Sequence, residues 1–335
     1  MTLDAAVVGA GHMGRRHAEV LDELAGVTVT AVADVDGAAA AALAADVGAT
    51  RRADCREAVA EADLVFVTTP PRERVEPVRA AAEAGAAVFC EKPLAGTLAD
   101  GRELVETVER TGVPFAVGFC QRFREPFRRV RDLVAGGDLG VPLQQFHVRG
   151  GEGIPEGENW RTDPEQATGI AVESLSHELD LARWLGGEVA AVRGETLGTL
   201  PDLPAFDDNV SATLRFESGA IGTLQVSWTA SVPYTARGVV GTEGSVVVES
   251  EDIWDVRRLR VNTGDGVETV EFDDDAATDM GYAAEDRAFV DAVRAGETPP
   301  VTVHDGMAAL ELSHELRDSA TGSLHGWREG GDGGE

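Results

Sequence analysis

Apolar residues recur along this chain with two different rhythms. In roughly the first third, short continuous apolar runs (residues 5–8, 27–33, 64–68, 86–90 and 115–118, with a shorter one near Ala49) alternate with helical segments at 15–24, 38–46, 54–61, 72–84 and 97–110. Runs of four to seven apolar residues between helices of about a dozen predict parallel strands buried on both faces and joined by right-handed crossovers. Gly85 stands where the fourth of these helices needs a C-cap. From residue 123 the rhythm changes. An amphipathic helix at 123–135 ends at Gly136-Gly137, a strand at 144–149 follows, and a Gly- and Glu-rich loop runs to Ala167. A His-bearing helix at 173–185 then leads into alternating stretches at 189–195, 209–216, 220–228, 234–240, 245–249, 255–261 and 267–272. Alternation separated by Gly-containing turns predicts a large, mostly antiparallel sheet. Two helices, 282–295 and 305–321, close the pattern before a polar tail. The expected organisation is a doubly wound α/β domain at 1–122, an α+β domain at 123–328 and a flexible tail at 329–335. A length of 335 agrees with two domains, because single cores stop growing near ~250–300 residues.

The first apolar run leads into Gly9-Ala10-Gly11-His12-Met13-Gly14 and then a helix. A G-x-G-x-x-G that follows a strand and opens a helix is the dinucleotide-binding (Rossmann) fingerprint. Gly9 permits the tight turn, Gly11 lets backbone approach a pyrophosphate, and Gly14 allows close helix–strand packing, with the helix N-terminus facing the anion. Gly9, Gly11, His12, Met13 and Gly14 are therefore expected at the cofactor. Asp34 ends the second strand twenty residues after Gly14. A carboxylate there accepts hydrogen bonds from ribose hydroxyls and repels a 2′-phosphate, which predicts NAD over NADP. Ligands of such sheets sit beyond the carboxyl ends of the strands, where Thr69-Pro70, Glu91-Lys92-Pro93 and Gln121-Arg122 also fall. Thr69, Pro70, Glu91, Lys92 and Arg122 join the expected cofactor set. Lys92 stands out because it is the only lysine; the other 28 basic residues are arginines. Its compact ammonium on a flexible stem can do what a planar guanidinium cannot, although a lysine at a strand end can also be plain surface.

The net charge of −30 excludes nucleic acid and anionic membranes as main partners. Residues 1–122 carry 12 basic and 19 acidic side chains, against 17 and 40 in the remainder. Carboxylate excess with almost no lysine fits a very salty cytoplasm, where screening relieves self-repulsion. A GC-rich genome accounts for arginine over lysine but not for the carboxylates. No apolar run reaches the ~20 residues of a membrane span, and Met1-Thr2-Leu3-Asp4 offers no basic leader segment. Three cysteines (Cys55, Cys90, Cys120) without metal-type spacing point to reduced thiols in a cytoplasm and away from zinc. No metal is expected.

The chain resembles the glucose-fructose oxidoreductase, inositol dehydrogenase and rhizopine-catabolism (Gfo/Idh/MocA) family over nearly its whole length. The resemblance rests on the early glycine loop, Thr69-Pro70, Ala84 to Pro93 with its Glu-Lys-Pro, Gly118 to Phe123, and Trp160-Arg161 before a His-bearing helix. It departs at Pro71 and Arg74, where the family often has Asn and His, and at Glu173, where it commonly has Asp. Glu173 and His177 are four apart, on one helical face; by itself His177 reads as a packed or surface histidine. The resemblance makes His177 and Glu173 catalytic partners of Lys92 facing it across a cleft. It implies hydride transfer between NAD and a carbinol carbon of a sugar, cyclitol or related polyol. His177 would then be the base, Lys92 the cation at the developing alkoxide, and Glu173 an orienting group. Asp180 is expected to be structural. Specificity would rest on the loop from Asn159 to Thr168, and the large sheet would form a homodimer or homotetramer. The alternatives on this scaffold are an NAD-using glycoside-cleaving enzyme and a non-catalytic NAD-binding regulator.

Overall fold

The computed structural model describes residues 2–154, 160–200, 206–253, 255–272 and 280–320. Asn159 and the tail at 329–335 lie outside them. The described residues form two compact units, one within 1–120 with 281–310, the other within 121–280 with those from 311 to 320. The return of residues 281–310 to the first unit is a difference from the linear division at 122.

The first unit holds a six-stranded parallel sheet of β1 (Leu3–Val8), β2 (Val27–Ala33), β3 (Thr50–Arg51), β4 (Leu64–Val67), β5 (Ala87–Glu91) and β6 (Phe115–Gly118), in the order β3-β2-β1-β4-β5-β6. Its helices are α1 (His12–Glu23), α2 (Gly37–Asp46), α3 (Cys55–Val59), α4 (Val75–Ala84) and α5 (Leu98–Thr111). Every residue of β4, β5 and β6 is buried, the reason those strands read as unbroken apolar runs. Asp36 caps α2 by accepting from the N–H groups of Ala38 and Ala39, and Thr97 caps α5. Gly85 ends α4 at φ +84°, as the sequence suggests. Val7, Val32, Leu64, Phe66 and Phe89 form the core with Leu21 and Leu43. Phe66 and Phe89 stack 4.8 Å apart, and the late-arriving Phe289 meets Phe66 edge-on.

The second unit opens with α6 (Glu125–Gly136) and β7 (Pro142–Gly150), followed by α7 (Ile170–Glu173) and α8 (Leu175–Gly186). Then come β8 (Val189–Leu197), β9 (Asn209–Phe216), β10 (Ile221–Ser227), β11 (Tyr234–Gly241), β12 (Ser245–Ser250), β13 (Arg258–Asn262) and β14 (Glu268–Glu271). They make one sheet ordered β14-β13-β12-β11-β7-β10-β9-β8. All pairings are antiparallel except β7 with β10, which run parallel. Strands β9 and β10 alternate buried and exposed residues, so one face of that part of the sheet is packed and the other is wet. Helix α9 (Tyr282–Ala295) belongs to the first unit, α10 (Val303–Ser319) follows it, and Thr321 of the expected last helix lies outside the described residues. No helix among the described residues is long and apolar enough to cross a membrane.

Three differences from the sequence expectation bear on the candidate site. Helix α1 starts at His12, inside the glycine loop. The helix expected at 72–84 is a 3-10 turn, Pro71–Glu73, joined at Arg74 to α4; Pro71 favours a first turn and cannot donate within one. The His-bearing helix is broken at Ser174, so Glu173 ends α7 and His177 lies in the first turn of α8.

Candidate active site

The first unit builds a nucleotide cradle at the switch point of its sheet, where the strand order reverses between β1 and β4. Gly9 leaves β1 at φ +104°, and a Cβ on it would sit 2.8 Å from the Thr68–Thr69 backbone. A Cβ on Gly14 would lie 1.8 Å from the Gly9 carbonyl oxygen, so the first turn of α1 closes on the loop only with glycine there. At Gly11 the situation is opposite: nothing lies within 4 Å of the added atom, and no side chain caps the helix. Open space beside a helix N-terminus without a side-chain cap suits an anion. The sequence reading omitted Thr68, whose Oγ1 lies 2.7 Å from the Gly9 carbonyl oxygen and fastens β4 to the loop.

Asp34 follows β2 and faces the same loop. It accepts the Ala10 N–H at 2.6 Å on one carboxylate oxygen and the Asp36 N–H at 2.7 Å on the other. Each oxygen retains acceptor capacity, because a carboxylate offers about four lone-pair sites. The free N–H groups of the loop and the acceptor oxygens of Asp34 fit a dinucleotide; the bound cofactor would supply the hydride acceptor, and the glycine loop and Asp34 would hold it.

Lys92 stands one residue past β5 and is partly exposed. Its N–H donates to Glu91 Oε2 at 2.8 Å, and the Lys92–Pro93 peptide is cis. The other oxygen of Glu91 lies 3.2 Å from Nε2 of His17, on α1, whose Nδ1 lies 2.9 Å from both oxygens of Asp286, on α9. All three side chains are buried. Burial by itself would push the His17 imidazole down, but the charges and hydrogen bonds of Asp286 and Glu91 outweigh it and hold His17 well above its ordinary value. Burial would likewise raise the Glu91 carboxyl; the bond and charge of His17, with the charges of Lys92 and Arg74, keep it low. The result is an imidazolium between two carboxylates, tying α1, β5 and α9 together. Glu91 thus turns its carboxylate inward, onto His17 and the Lys92 backbone. His17, Glu285 and Asp286 bring ligand atoms within 4.8 Å of one another, and His17 is already engaged on both ring nitrogens by Asp286 and Glu91.

The second unit carries the other expected catalytic residues. His177 is partly buried, and its neighbour Glu178 anchors α8 to the sheet. Glu178 takes both arms of Arg237, at 2.8 and 2.6 Å, and Nδ1 of His147 at 3.1 Å. Burial would raise the Glu178 carboxyl, but Arg237, His147 and Arg149 hold it well below the carboxylate range. Burial and the charge of Arg237 push His147 down, so it is a neutral imidazole donating from Nδ1. At the helix break, the indole N–H of Trp228 lies 3.0 Å from both Ser174 Oγ and Glu152 Oε2. Glu173 is buried and accepts from Nε of Arg161 at 2.5 Å, an arginine on the short turn Trp160–Thr162. Arg122, expected at the cofactor, makes a buried bidentate pair with Asp180 of α8. None of these buried pairings left a local signature in the sequence, because each joins residues distant in the chain.

Residues 3–119 match the family model described as the oxidoreductase family, NAD-binding Rossmann fold, and residues 127–247 match the GFO/IDH/MocA C-terminal domain. The chain is 31% identical to an inositol 2-dehydrogenase of Rhizobium meliloti (strain 1021) over 322 residues, covering 93% of this chain and 95% of the relative. This chain belongs to the Gfo/Idh/MocA oxidoreductase family. A scyllo-inositol 2-dehydrogenase (NAD(+)) of Bacillus subtilis (strain 168) is 28% identical over 318 residues, 92% of this chain and 91% of that one. Among solved structures, GenD2 from gentamicin A biosynthesis, in complex with NAD, superposes with a TM-score of 0.82 at 28% identity, covering 95% of this chain and 94% of its own. The family expectation drawn from the Glu-Lys-Pro and glycine-loop residues holds, and with it an NAD-dependent enzyme acting on CH–OH groups.

Proposed function

We propose that this enzyme oxidises a ring hydroxyl of a cyclitol or related sugar, with Lys92, His177 and Glu173 as its working groups. The observation that carries the reading is the placement of Lys92 at the carboxyl end of β5, its backbone fixed by Glu91, in the unit that holds the glycine cradle. As hydride leaves a carbinol carbon, its hydroxyl must lose a proton. His177 takes that proton, imidazole being the side chain most often used as a general base. Lys92 places a cation at the oxygen as alkoxide charge develops. Glu173, held by Arg161, bonds a neighbouring substrate hydroxyl or orients the imidazole. Asp34 selects NAD over NADP.

The family relatives named for inositol support cyclitols as the first substrates to try. The test is NADH formation from NAD with a panel of inositols and aldoses, run in low salt and in molar KCl. Steady NADH accumulation supports the dehydrogenase; product without NADH rejects it. Lys92→Met and His177→Ala should each lower kcat by at least about 10²-fold, the scale of positioned acid–base and electrostatic groups. Near-normal turnover in either variant removes that residue from the mechanism. The net charge of −30 supports a salt-rich cytoplasm as the working medium, so activity and melting temperature should both rise with KCl. A homodimer or homotetramer built on the large sheet completes the proposal, and light scattering at working salt decides it.

A further inference from the structure

Arg74 stands at the junction of the 3-10 turn and α4, and only 3% of it is exposed. Its Nε donates to the Thr69 carbonyl at 3.0 Å, on the loop after β4. Its Nη1 donates to the carbonyls of Glu91 and Pro93, and Nη2 donates to that of Lys92 at 3.2 Å. One guanidinium therefore gathers three consecutive carbonyls of the turn that carries Lys92 and joins them to the Thr69-Pro70 loop. The opposite side of that turn is fixed as well, by the Lys92 N–H on Glu91 and by Glu91 on His17. A planar fork with five donors matches this set; an ammonium on a flexible stem does not. Buried carbonyls that lose their donor are costly to leave unpaired, so the turn would move to recover partners.

We propose that Arg74 is a positioning residue for Lys92: it sets the backbone from which the Lys92 ammonium reaches the substrate oxygen. This rests on the reading of Lys92 as the cation of the reaction, and it accounts for an arginine at a position where the family often carries histidine. A misplacement of about 1 Å in a catalytic group is worth on the order of 10²-fold in rate. Arg74 should act on kcat and leave cofactor affinity, which belongs to the glycine loop and Asp34, nearly alone.

The experiment uses the full-length protein with NAD and myo-inositol, or the fastest polyol of the panel, and compares Arg74→Met, Arg74→Lys, Arg74→His and Lys92→Met. Because Lys92 is the only lysine, reductive methylation with 13C-formaldehyde gives one side-chain NMR signal beside that of the terminal amine. The expected result is a fall in kcat of roughly 10–100-fold in Arg74→Met, with KM and the NAD dissociation constant within about threefold. The Lys92 methyl signal should shift, and Arg74→His, which keeps ring N–H donors, should recover part of the rate. Normal kcat in Arg74→Met beside an inactive Lys92→Met overturns the inference and keeps the reading of Lys92. An active Lys92→Met overturns that reading; the methyl signal then decides, a shift in Arg74→Met upholding the positioning and an unmoved signal rejecting it. Loss of rate matched by equal losses of NAD affinity and melting temperature marks Arg74 as merely structural and overturns the inference. Should Arg74→Met fail to fold, Arg74→Lys and Arg74→His carry the same comparisons.

Discussion

Arg122 and Asp180 form a fork-to-fork pair, with contacts of 2.9 and 2.6 Å and both side chains buried. Asp180 lies on α8 three residues after His177, so the pair fixes the helix that presents the proposed base. Removing one partner leaves an uncompensated buried charge, which typically costs about 3–5 kcal/mol. Arg122→Met and Asp180→Asn should each lose stability on that scale in urea unfolding. The double variant should lose less than the sum of the two, because its second change removes the stranded charge.

Asp34 has two duties, one to the loop and one to the cofactor. Asp34→Ala removes an acceptor for charged hydrogen bonds worth about 1.5–3 kcal/mol, which corresponds to roughly 10–100-fold weaker NAD binding by calorimetry. The same change removes the repulsion of a 2′-phosphate, so the ratio of NADP to NAD affinity should rise. An Asp34→Ala protein that binds NAD normally and still rejects NADP would refute the duty to the cofactor.

The buried His17 makes stability depend on pH with a defined sign. Its folded-state pKa is raised, so its contribution is full below about 6.5, the unfolded value. That contribution is lost as pH rises through the folded value. Glu91 is depressed, so its contribution is present above about 4.3 and fades as pH falls. The stability gap between wild type and His17→Asn, measured by urea unfolding, should therefore be widest between about pH 4.3 and 6.5 and shrink toward alkaline pH. A gap that grew above neutrality would mean that His17 is neutral in the folded protein.

Thiol chemistry offers an independent check on the packing. Cys90 and Cys120 are fully buried, whereas Cys55 is partly exposed at the start of α3. Burial pushes the Cys90 thiol up to about 11, away from the reactive thiolate. Native protein should release about one equivalent of chromophore from an aromatic disulfide reagent at pH 8, and unfolded protein three. Rapid reaction of Cys90 would contradict the burial of β5.

The parallel sheet and the cradle were legible because their signals are local. Continuous apolar runs marked β1, β4 and β5, and the spacing from Gly9 through Gly14 to Asp34 follows from backbone geometry alone. Strand β2 was expected at the bounds it has, 27–33. Other features depend on residues far apart in sequence and left no periodic trace. The parallel pairing of β7 with β10 is one, since its partners are separated by β8 and β9. The break at Ser174 is another; Ser174 Oγ and its partners Trp228 and Glu152 are scattered along the chain. Arg122 follows a strand end, and its pairing with a buried carboxylate 58 residues on has no trace in the local spacing. Arg74 registered only as a departure from the family pattern; its role at the Lys92 turn appears once the carbonyls of residues 91–93 are placed around it.

The bond between His17 and Asp286 spans 269 residues, and that distance bears on how the protein is made. The first unit is begun at the N-terminus but lacks α9 until residue 281 and beyond have been synthesised. Between residue 120 and that point a ribosome at 5–20 residues per second needs roughly 8–30 s. Throughout that interval the nascent sheet has neither Phe289 to cover the Phe66–Phe89 stack nor Asp286 to pair with His17. The domain that comes first in the sequence is thus completed only when residues 281–310 arrive, and its apolar stack stays uncovered until then.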